Sequence, residues 1–145
     1  MPKLDRVDKS IITLLRENCL TPFVEIARKV GVAEGTVRYR VKRLLGEGVI
    51  RGFTAKLDLG KIGLKIVAFA LISVLPGQIQ SVAAALGRLE NVIEIHEIHT
   101  YGDLLIKIRA ESLDHLGRIM ANQIKIVKGV VGSQVISVLN VWKEE

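Results

Sequence analysis

The sequence predicts an α+β chain in two parts: a basic N-terminal part of three helices and a C-terminal part with the element order βαββαβ. Over the first 45 residues the apolar residues recur three and four apart, as in helices, and from about residue 65 short β-rich runs alternate with two helical stretches. The charge divides at nearly the same place. Residues 1–61 hold 13 Lys and Arg against 7 Asp and Glu, whereas residues 62–145 hold 8 of each. The whole net charge of +6 therefore lies on the N-terminal part.

Three helices are predicted before residue 46. The first runs from about Arg6 to Glu17, with Asp5 as its N-cap. The second covers Phe23–Val30 and ends at Gly31, because glycine adopts the left-handed conformation of a helix end at low cost. The third covers about Glu34–Leu45. Its inward side carries apolar residues at helical spacing: Val37, Val41, Leu44 and Leu45.

The second and third helices, with the tight turn between them, form a helix-turn-helix of the winged type, whose later helix enters the DNA major groove. Four cations crowd into six residues of that helix: Arg38, Arg40, Lys42 and Arg43. A basic amphipathic helix alone could be a solvated face. Together with the preceding helix and the uneven charge, it favours a DNA-binding module.

A linking strand and a ferredoxin-like sandwich are predicted to follow. The stretch VIRGFTAKLDL alternates apolar and polar residues as a strand does, and the domain boundary falls around residues 58–65, giving domains 1–60 and 61–145. We predict four strands in the second domain: Ile66–Leu75, Val92–Thr100, Asp103–Ala110 and Val130–Trp142. Two helices, Ile79–Leu89 and one capped by Ser112, complete the order βαββαβ. The free face of the sheet is apolar enough to predict that a partner subunit covers it.

Several classes of protein are disfavoured. The longest largely apolar run, Ile66–Leu75, has ten residues, of which only Ser73 is polar, too few to cross a bilayer, and the N-terminus lacks a hydrophobic signal segment. Cys19 is the only cysteine, so it is predicted to be a buried or inert thiol and not part of a disulfide or zinc site. The three histidines have no companion ligands, and the carboxylates Glu94 and Glu97 have no nucleophile nearby in the sequence. We expect a cytoplasmic protein with no catalytic residues, metal, cofactor or membrane partner.

The order of these elements resembles the leucine-responsive/asparagine-regulator (Lrp/AsnC, feast/famine) family along essentially the whole chain. The matching segments are LDRVDKSIITLLREN, VEIARKVGVAEGTVRYRVKRLLGEGVIRGFTAKLD, DLLIKI and KGVVGSQVISVL. The resemblance implies a transcription regulator that dimerises through its C-terminal domain. It also implies assembly of dimers into tetramers, octamers or larger rings, and an amino acid bound between dimers.

The DNA-contacting residues are assigned on this basis. The family pattern TV-x-x-R matches Thr36, Val37 and Arg40, with Ala33 in place of the usual small polar cap. Residues in the N-terminal half of the third helix are assigned to base edges in the major groove: Glu34, Gly35, Thr36, Arg38 and Tyr39. Four cations are assigned chiefly to phosphates, which fix position and not sequence: Arg40, Lys42, Arg43 and Arg51. The alternative for any one of these arginines is a role in packing only.

The effector loop departs from the family pattern. The family's Gly-x-x-Asp corresponds here to Thr100–Asp103, with the glycine displaced to Gly102. Ser133 matches a family threonine, and Val135 stands where the next one would be. The residues assigned to the effector are His99, Thr100, Tyr101, Gly102, Asp103, Ser133, Gln134 and Val135. A carboxylate such as Asp103 could bind an effector's ammonium group; the alternative is that this stretch is simply a turn.

We therefore predict a sequence-specific regulator that binds a pseudo-palindromic double-stranded DNA operator as a dimer or larger assembly, modulated by a free amino acid or related metabolite. Two alternatives stay open. One is an effector-independent architectural DNA-binding protein. The other is a metabolic sensor or enzyme subunit, since βαββαβ domains also bind amino acids in allosteric enzymes.

Overall fold

A computed structural model describes residues 3–99 and 102–143. The chain forms two compact units, which divide between Lys56 and Leu57. Within the described residues, no helix combines the length and the apolar character that a membrane span requires.

Three helices make up the N-terminal unit: α1 (Arg6–Glu17), α2 (Phe23–Val30) and α3 (Glu34–Gly46). α1 and α2 have the predicted bounds, and α3 ends one residue later than predicted. α1 begins at a capping box: the Asp5 carboxylate accepts from the Asp8 N–H at 2.8 Å, and the Asp8 carboxylate accepts from the Asp5 N–H at 3.1 Å. The N–H groups at the start of a helix have no partner within it, so this exchange stabilises the end and confirms the predicted cap.

The core of this unit lies where the three helices meet. It is formed by buried apolar side chains from all three: Ile11, Leu15, Ile26, Ala27, Val37 and Val41. α3 also buries Leu44 completely, whereas Leu45 is 39% exposed, so its predicted inward position is wrong. Successive residues of a helix are separated by about 100°, which carries Leu45 past the edge of the buried stripe. Cys19 is exposed, so of the two predicted roles, a buried or an inert thiol, the buried one is wrong and the inert one stays a prediction.

The segment after α3 does not form the predicted linking strand. Residues 51–58 have neither helix nor strand. Phe53 and Leu57 are 49% and 61% exposed. A strand exists only where a second segment pairs with its backbone, and no described part of this chain does so. The alternation that predicted a strand is present in the sequence but unpaired in the single chain.

The C-terminal unit is a four-stranded antiparallel sheet with helices on one face. The strands are β1 (Ile66–Val74), β2 (Val92–Glu97), β3 (Leu104–Ala110) and β4 (Val130–Ser137), in the spatial order β2-β3-β1-β4. The helices are α4 (Ile79–Leu86) and α5 (Leu113–Ile119), and α5 continues into a π-helical turn, Met120–Ile124. This confirms the predicted order βαββαβ and the ferredoxin-like arrangement.

Several elements are shorter than predicted. β4 ends at Ser137, which pairs with Ala68 near the beginning of β1, so few residues of β1 remain to pair with the predicted continuation to Trp142. β2 ends at Glu97, where its pairing with Leu104 ends. α4 ends at Leu86, with Gly87 as its C-cap, whose N–H donates to the Ala83 carbonyl at 2.9 Å.

The core of the C-terminal unit lies between the helices and one face of the sheet. β1 alternates buried and half-buried residues as a strand with one covered face should. The buried members on the two central strands are Ala68, Ala70, Ile72, Val74, Leu104, Ile106, Ile108 and Ala110. Residues of β1 on the other face, Val67, Phe69 and Leu71, are only half-buried. That free face is the surface on which a partner subunit is predicted.

Candidate nucleic-acid interface and effector loop

The turn between α2 and α3 places the third helix across the second. Gly31 has φ +79°, a left-handed conformation that suits glycine, and its N–H donates to the Ala27 carbonyl at 2.9 Å. Ala33 then enters α3 with extended backbone and no side-chain cap, as the sequence predicted. Without a capping side chain, the start of α3 presents its first backbone N–H groups to solvent, where they could meet a phosphate.

α3 buries one stripe and presents the opposite face to solvent. Most residues assigned to base edges lie on the free face: Glu34, Gly35, Arg38 and Tyr39 are exposed, and Thr36 is half-buried. Tyr39, an aromatic residue, is 66% exposed. A Cβ at Gly35 would have no atom within 4 Å, apart from the two residues next to it in the sequence and the backbone of its own helix. Packing inside the unit therefore does not require glycine there.

Arg38 is held on the surface by two contacts. Its Nη2 donates to Glu34 Oε1 at 2.7 Å, one helical turn earlier, and its guanidinium carbon lies 5.5 Å from the centre of the Phe23 ring. The second contact is within cation–π range and joins α3 to the start of α2. Because Arg38 is largely exposed, the ion pair is screened by water and contributes little to stability. The two contacts place the guanidinium beside Glu34 and the Phe23 ring in the described structure.

Arg40 and Arg43 are in a different situation from Arg38. Arg40 Nη1 lies 2.5 Å from Asp5 Oδ2 and 3.0 Å from Asp8 Oδ1, and Arg43 Nη2 lies 2.6 Å from Asp8 Oδ2. Their side chains are 21% and 31% exposed, and that of Asp8 is only 1% exposed. Both guanidinium groups therefore have carboxylate partners inside the unit, which their assignment to phosphates did not foresee. That assignment stays a prediction.

In the cluster formed by Asp5, Asp8, Arg40 and Arg43, here called the α1–α3 ion cluster, the pKa values of Asp5, Asp8 and Arg40 are shifted. Hydrogen bonds from the Arg40 guanidinium and the Asp8 N–H lower the pKa of Asp5 to about 2. Burial alone would raise the pKa of Asp8, but hydrogen bonds from the Asp5 N–H and from both guanidinium groups outweigh burial and lower it. The two carboxylates raise the pKa of Arg40, Asp5 more than Asp8. Asp5, Asp8 and Arg40 are therefore ionised at neutral pH.

The remaining assigned cations are Lys42 and Arg51. Both are exposed, Lys42 on α3 and Arg51 on the segment that follows it. Arg51 lines an open cleft of about 940 Å³ in the N-terminal unit, together with Cys19, Phe53 and the end of α1. No contact in the described structure prevents either cation from reaching a phosphate.

The predicted effector loop is anchored to β1. Thr100 and Tyr101 lie outside the described residues. Asp103 is held twice: its Oδ2 accepts from the Val74 N–H at 2.6 Å, and its own N–H donates to the Ile72 carbonyl at 2.9 Å. A Cβ on Gly102 would lie 3.3 Å from the Ile72 carbonyl oxygen, so glycine permits the close approach of this loop.

The other assigned effector residues either lie across β1 from the loop, on β4, or are exposed. Ser133 pairs with Ile72 from β4, whereas Leu104, next to Asp103, pairs with Ile72 from β3. Neighbouring strands are about 4.8 Å apart, so the loop and Ser133 are separated by about 10 Å. The Ser133 hydroxyl is buried, and no described residue supplies it with a hydrogen bond. Gln134 and Val135 follow on β4, and both are exposed, as is His99.

Sequence reasoning missed Asp5 and Asp8 as partners of α3, the predicted reading helix that enters the DNA major groove, although it found Asp5 as a cap. A signal was present. Arg40 lies three residues after the buried Val37, and Asp8 lies three residues before the buried Ile11, so both charges flank a buried stripe. Opposite charges at such flanking positions of two packed helices can pair.

Comparison with known proteins identifies both units. The AsnC-type helix-turn-helix domain matches residues 4–45, and the Lrp/AsnC ligand binding domain matches residues 67–145. HTH-type transcriptional regulator FL11 of Pyrococcus furiosus is 36% identical over 141 residues, which cover 97% of this chain and 93% of that protein. HTH-type transcriptional regulator Ptr1 of Methanocaldococcus jannaschii is 32% identical over 141 residues, with 97% and 95% covered.

Solved structures share the fold. Escherichia coli AsnC superposes with a TM-score of 0.92 at 23% identity, covering 99% of this chain and 97% of that one. The transcriptional regulator NMB0573 of Neisseria meningitidis, solved as a complex with L-Met, gives a TM-score of 0.90 at 22% identity, with 98% and 94% covered. The two domain matches and the curated relatives agree along nearly the whole length, so the chain belongs to the Lrp/AsnC family of DNA-binding transcriptional regulators, which are not enzymes.

Proposed function

We propose that this regulator binds a specific, pseudo-palindromic DNA operator as a dimer or an assembly of dimers. The observation that carries the proposal is the free face of α3, where Glu34, Arg38, Tyr39 and Lys42 are exposed beside a fully buried apolar stripe. A helix of this kind fits the major groove with its N-terminal residues against base edges. The protein would act in the cytoplasm, with the DNA that it binds.

Different side chains of α3 have different tasks in this proposal. Arg38 supplies base recognition, because its guanidinium is restrained by Glu34 and Phe23 and arginine can donate two hydrogen bonds to one guanine. Lys42 and Arg51 are exposed cations suited to phosphates, which fix position without reading sequence. Two copies related by a two-fold axis would place their reading helices about 34 Å apart, one turn of DNA, or a multiple of it.

Binding measurements on single variants separate these tasks. A preferred duplex is first selected from a random library, and affinities for it and for a shuffled duplex are then measured over a range of salt concentrations. Arg38→Ala should weaken binding to the selected duplex by about 5- to 150-fold, which is the contribution of one bidentate base contact. It should weaken binding to the shuffled duplex much less. Lys42→Ala should weaken both duplexes equally and reduce the slope of log affinity against log salt by about one.

The control for removal of a cation is Lys125→Ala, which changes the net charge equally but lies in the C-terminal unit, where Lys125 is exposed. It should leave affinity and salt slope close to those of the wild type. If Arg38→Ala and Lys42→Ala reduce affinity for both duplexes to the same extent, the division into base and phosphate contacts is wrong.

For dimerisation, the free face of the sheet is the proposed surface. It carries half-buried apolar residues of β1 (Val67, Phe69 and Leu71), and next to them Ile136 on β4 is 46% exposed. Apolar surface of this kind is stabilised when a second copy covers it. Analytical ultracentrifugation tests the proposal: Phe69→Glu should yield monomers, and a dimer that survives this change would locate the interface elsewhere.

We further propose that an amino acid or a related metabolite modulates the regulator. Two findings support this: the match of residues 67–145 to a ligand binding domain, and a structural neighbour that was solved with L-Met. In this chain the residues that would contact the ligand are the loop around Asp103 and the β4 residues Ser133–Val135. The buried Ser133 hydroxyl, for which no described residue provides a hydrogen bond, is a polar group that a ligand could satisfy.

Thermal melting in the presence of each of the twenty amino acids tests this role. A ligand at about 100 times its dissociation constant adds about 2.7 kcal/mol to the folded state, so a true effector raises the melting temperature by several degrees. Asp103→Asn keeps an oxygen that can accept from the Val74 N–H but removes the charge, and should abolish the shift. Asp114→Asn, an exposed carboxylate on α5, is the control and should retain it. No shift with any amino acid would contradict the role of a free amino acid as the effector.

A further inference from the structure

The α1–α3 ion cluster joins the first helix to the reading helix through one buried carboxylate. Asp8 is 1% exposed, and the two buried polar or charged residues of the described chain are Asp8 and Arg109, which lies in the other unit. Each Asp8 oxygen has a guanidinium partner, with Arg40 Nη1 on Oδ1 at 3.0 Å and Arg43 Nη2 on Oδ2 at 2.6 Å. The Asp5 N–H donates to Oδ2 as well, at 3.1 Å. Asp8 is therefore a fully engaged, fixed charge.

We propose that Asp8 is a positioning residue for DNA recognition: by holding Arg40 and Arg43 it fixes the rotation of α3 about its own axis and so determines which side chains face the DNA. The proposal deepens the proposed sequence-specific binding and depends on it. Asp8 itself is buried and does not touch the DNA. It acts through the two arginines, which are three residues apart and project from neighbouring turns of the same side of α3.

Two attachment points restrain a helix more than one. The buried stripe of α3 consists of aliphatic side chains, Val37, Val41 and Leu44, and contacts between such groups are non-directional. Hydrogen bonds from two guanidinium groups to one carboxylate are directional and short. Side chains extend about 5–6 Å from a helix axis, so a rotation of roughly 20° moves their tips by about 2 Å. A displacement of that size breaks hydrogen bonds to base edges, which tolerate only a few tenths of an ångström.

The charges of the cluster show that its role is not to attract DNA. The two arginines are balanced by Asp5 and Asp8, so the cluster adds no net charge to the reading helix. Removal of the Asp8 charge would therefore make the surface more positive. A more positive surface binds DNA of any sequence at least as well, whereas a loosened reading helix binds its preferred sequence less well. A gain in affinity for DNA of any sequence together with a loss for the preferred sequence would therefore show that Asp8 positions the helix, since a group that only attracts DNA would change both affinities in the same direction.

The decisive variant is Asp8→Asn, which has nearly the same shape but no charge. Fluorescence anisotropy gives its affinity for the selected and shuffled duplexes at several salt concentrations, with calorimetry to confirm that the protein is folded at the assay temperature. The proposal predicts that affinity for the shuffled duplex is unchanged or raised, that the ratio of selected to shuffled affinity falls at least tenfold, and that the salt slope does not decrease.

Two matched variants serve as controls. Asp114→Asn removes one negative charge from the exposed surface of α5, where Asp114 pairs with Arg118, and should leave the affinity ratio unchanged. Asp5→Asn retains a good N-cap residue and removes only one partner of Arg40. It should lower the ratio less than Asp8→Asn does. If Asp8→Asn weakens both duplexes equally, or leaves the ratio intact, the proposal is overturned.

A second route remains if Asp8→Asn does not fold. Arg43→Gln removes one of the two attachments and leaves Asp8 balanced by Arg40. Here too the ratio should fall, and the salt slope should be that of the wild type. An equal loss on both duplexes with a reduced salt slope would show that Arg43 contacts a phosphate, and would overturn the proposal.

The wild-type protein distinguishes failure of this inference from failure of the proposed function. If the wild type has no preference between the two duplexes, sequence-specific binding itself is wrong. If the wild type has a preference and Asp8→Asn retains it in full, only the positioning role of Asp8 is wrong.

Discussion

Replacement of Asp103 by alanine should destabilise the C-terminal unit whether or not a ligand binds there. The Asp103 carboxylate accepts from the Val74 N–H at 2.6 Å, just beyond the point where the pairing of β1 with β3 ends at Ile72 and Leu104. Val74 is 7% exposed, so water has little access to its N–H when the carboxylate is absent. Asp103 thus continues the contact of β1 with this side of the sheet beyond the last β1–β3 pair and holds the loop against β1.

The size of the effect follows from the kind of bond that is lost. A hydrogen bond to a charged group contributes about 1.5–3 kcal/mol, and a buried donor without its acceptor costs about 1–3 kcal/mol. We expect the free energy of unfolding of the C-terminal unit to fall by about 2 kcal/mol. For a domain of this size 1 kcal/mol corresponds to about 4–8 °C, so the melting temperature should fall by about 8–16 °C.

Differential scanning calorimetry of the full chain without ligand measures this change. Asp103→Asn is the informative comparison, because it keeps an acceptor oxygen and should lose less than half as much. Glu97→Ala, at an exposed position on the end of β2, is the control and should change stability by less than about 0.5 kcal/mol. A melting temperature for Asp103→Ala within 2–3 °C of the wild type, as roughly 0.5 kcal/mol would give, would refute the structural role.

Two further predictions concern acid and backbone geometry. The pKa of Asp5 lies at about 2 and that of Asp8 is also lowered, so these carboxylates stabilise the folded N-terminal unit fully above about pH 5 and progressively less as the pH falls toward 2. Calorimetry should show the transition of this unit moving down over that range; a transition that does not move would contradict the ionised cluster. Gly129→Ala should destabilise the C-terminal unit by about 2–4 kcal/mol, because φ is +101° and a Cβ would lie 2.9 Å from Cγ2 of the buried Val82. Gly117→Ala, where no such contact exists, should be neutral or stabilising in the same denaturation assay, and equal effects at the two glycines would show that the conformation at Gly129 is misjudged.

The local structure of the N-terminal unit could be predicted from the sequence almost to the residue. Helical spacing, the Asp5 cap and Gly31 are each determined by residues within one or two turns, so they can be recognised without knowledge of the fold. The linking strand could not be predicted in this way. Its alternation is local, but its existence depends on a second strand, and no described part of the chain pairs with residues 51–58. The predicted β4 is too long for a related reason: its pairing with β1 ends at Ser137.

In the candidate site, too, features set by local sequence could be predicted, and features that depend on contacts between distant residues could not. The exposed residues of α3, such as Arg38, follow from the helical period alone. The partners of Arg40 and Arg43 lie 32–35 residues away, so a reading of local charge density assigned both arginines to the DNA. Asp103 and Val74 are 29 residues apart. The local sequence therefore did not indicate that the Asp103 carboxylate accepts a hydrogen bond within the fold. Long-range polar contacts thus account for what was missed.

The most direct test of the account is the ratio of wild-type affinities for a selected duplex and for a shuffled duplex of equal length and composition, measured at one fixed salt concentration. A regulator that reads bases with α3 should prefer the selected duplex by about 10³-fold or more. A ratio below about tenfold would contradict sequence-specific recognition and favour an architectural protein that binds DNA of any sequence.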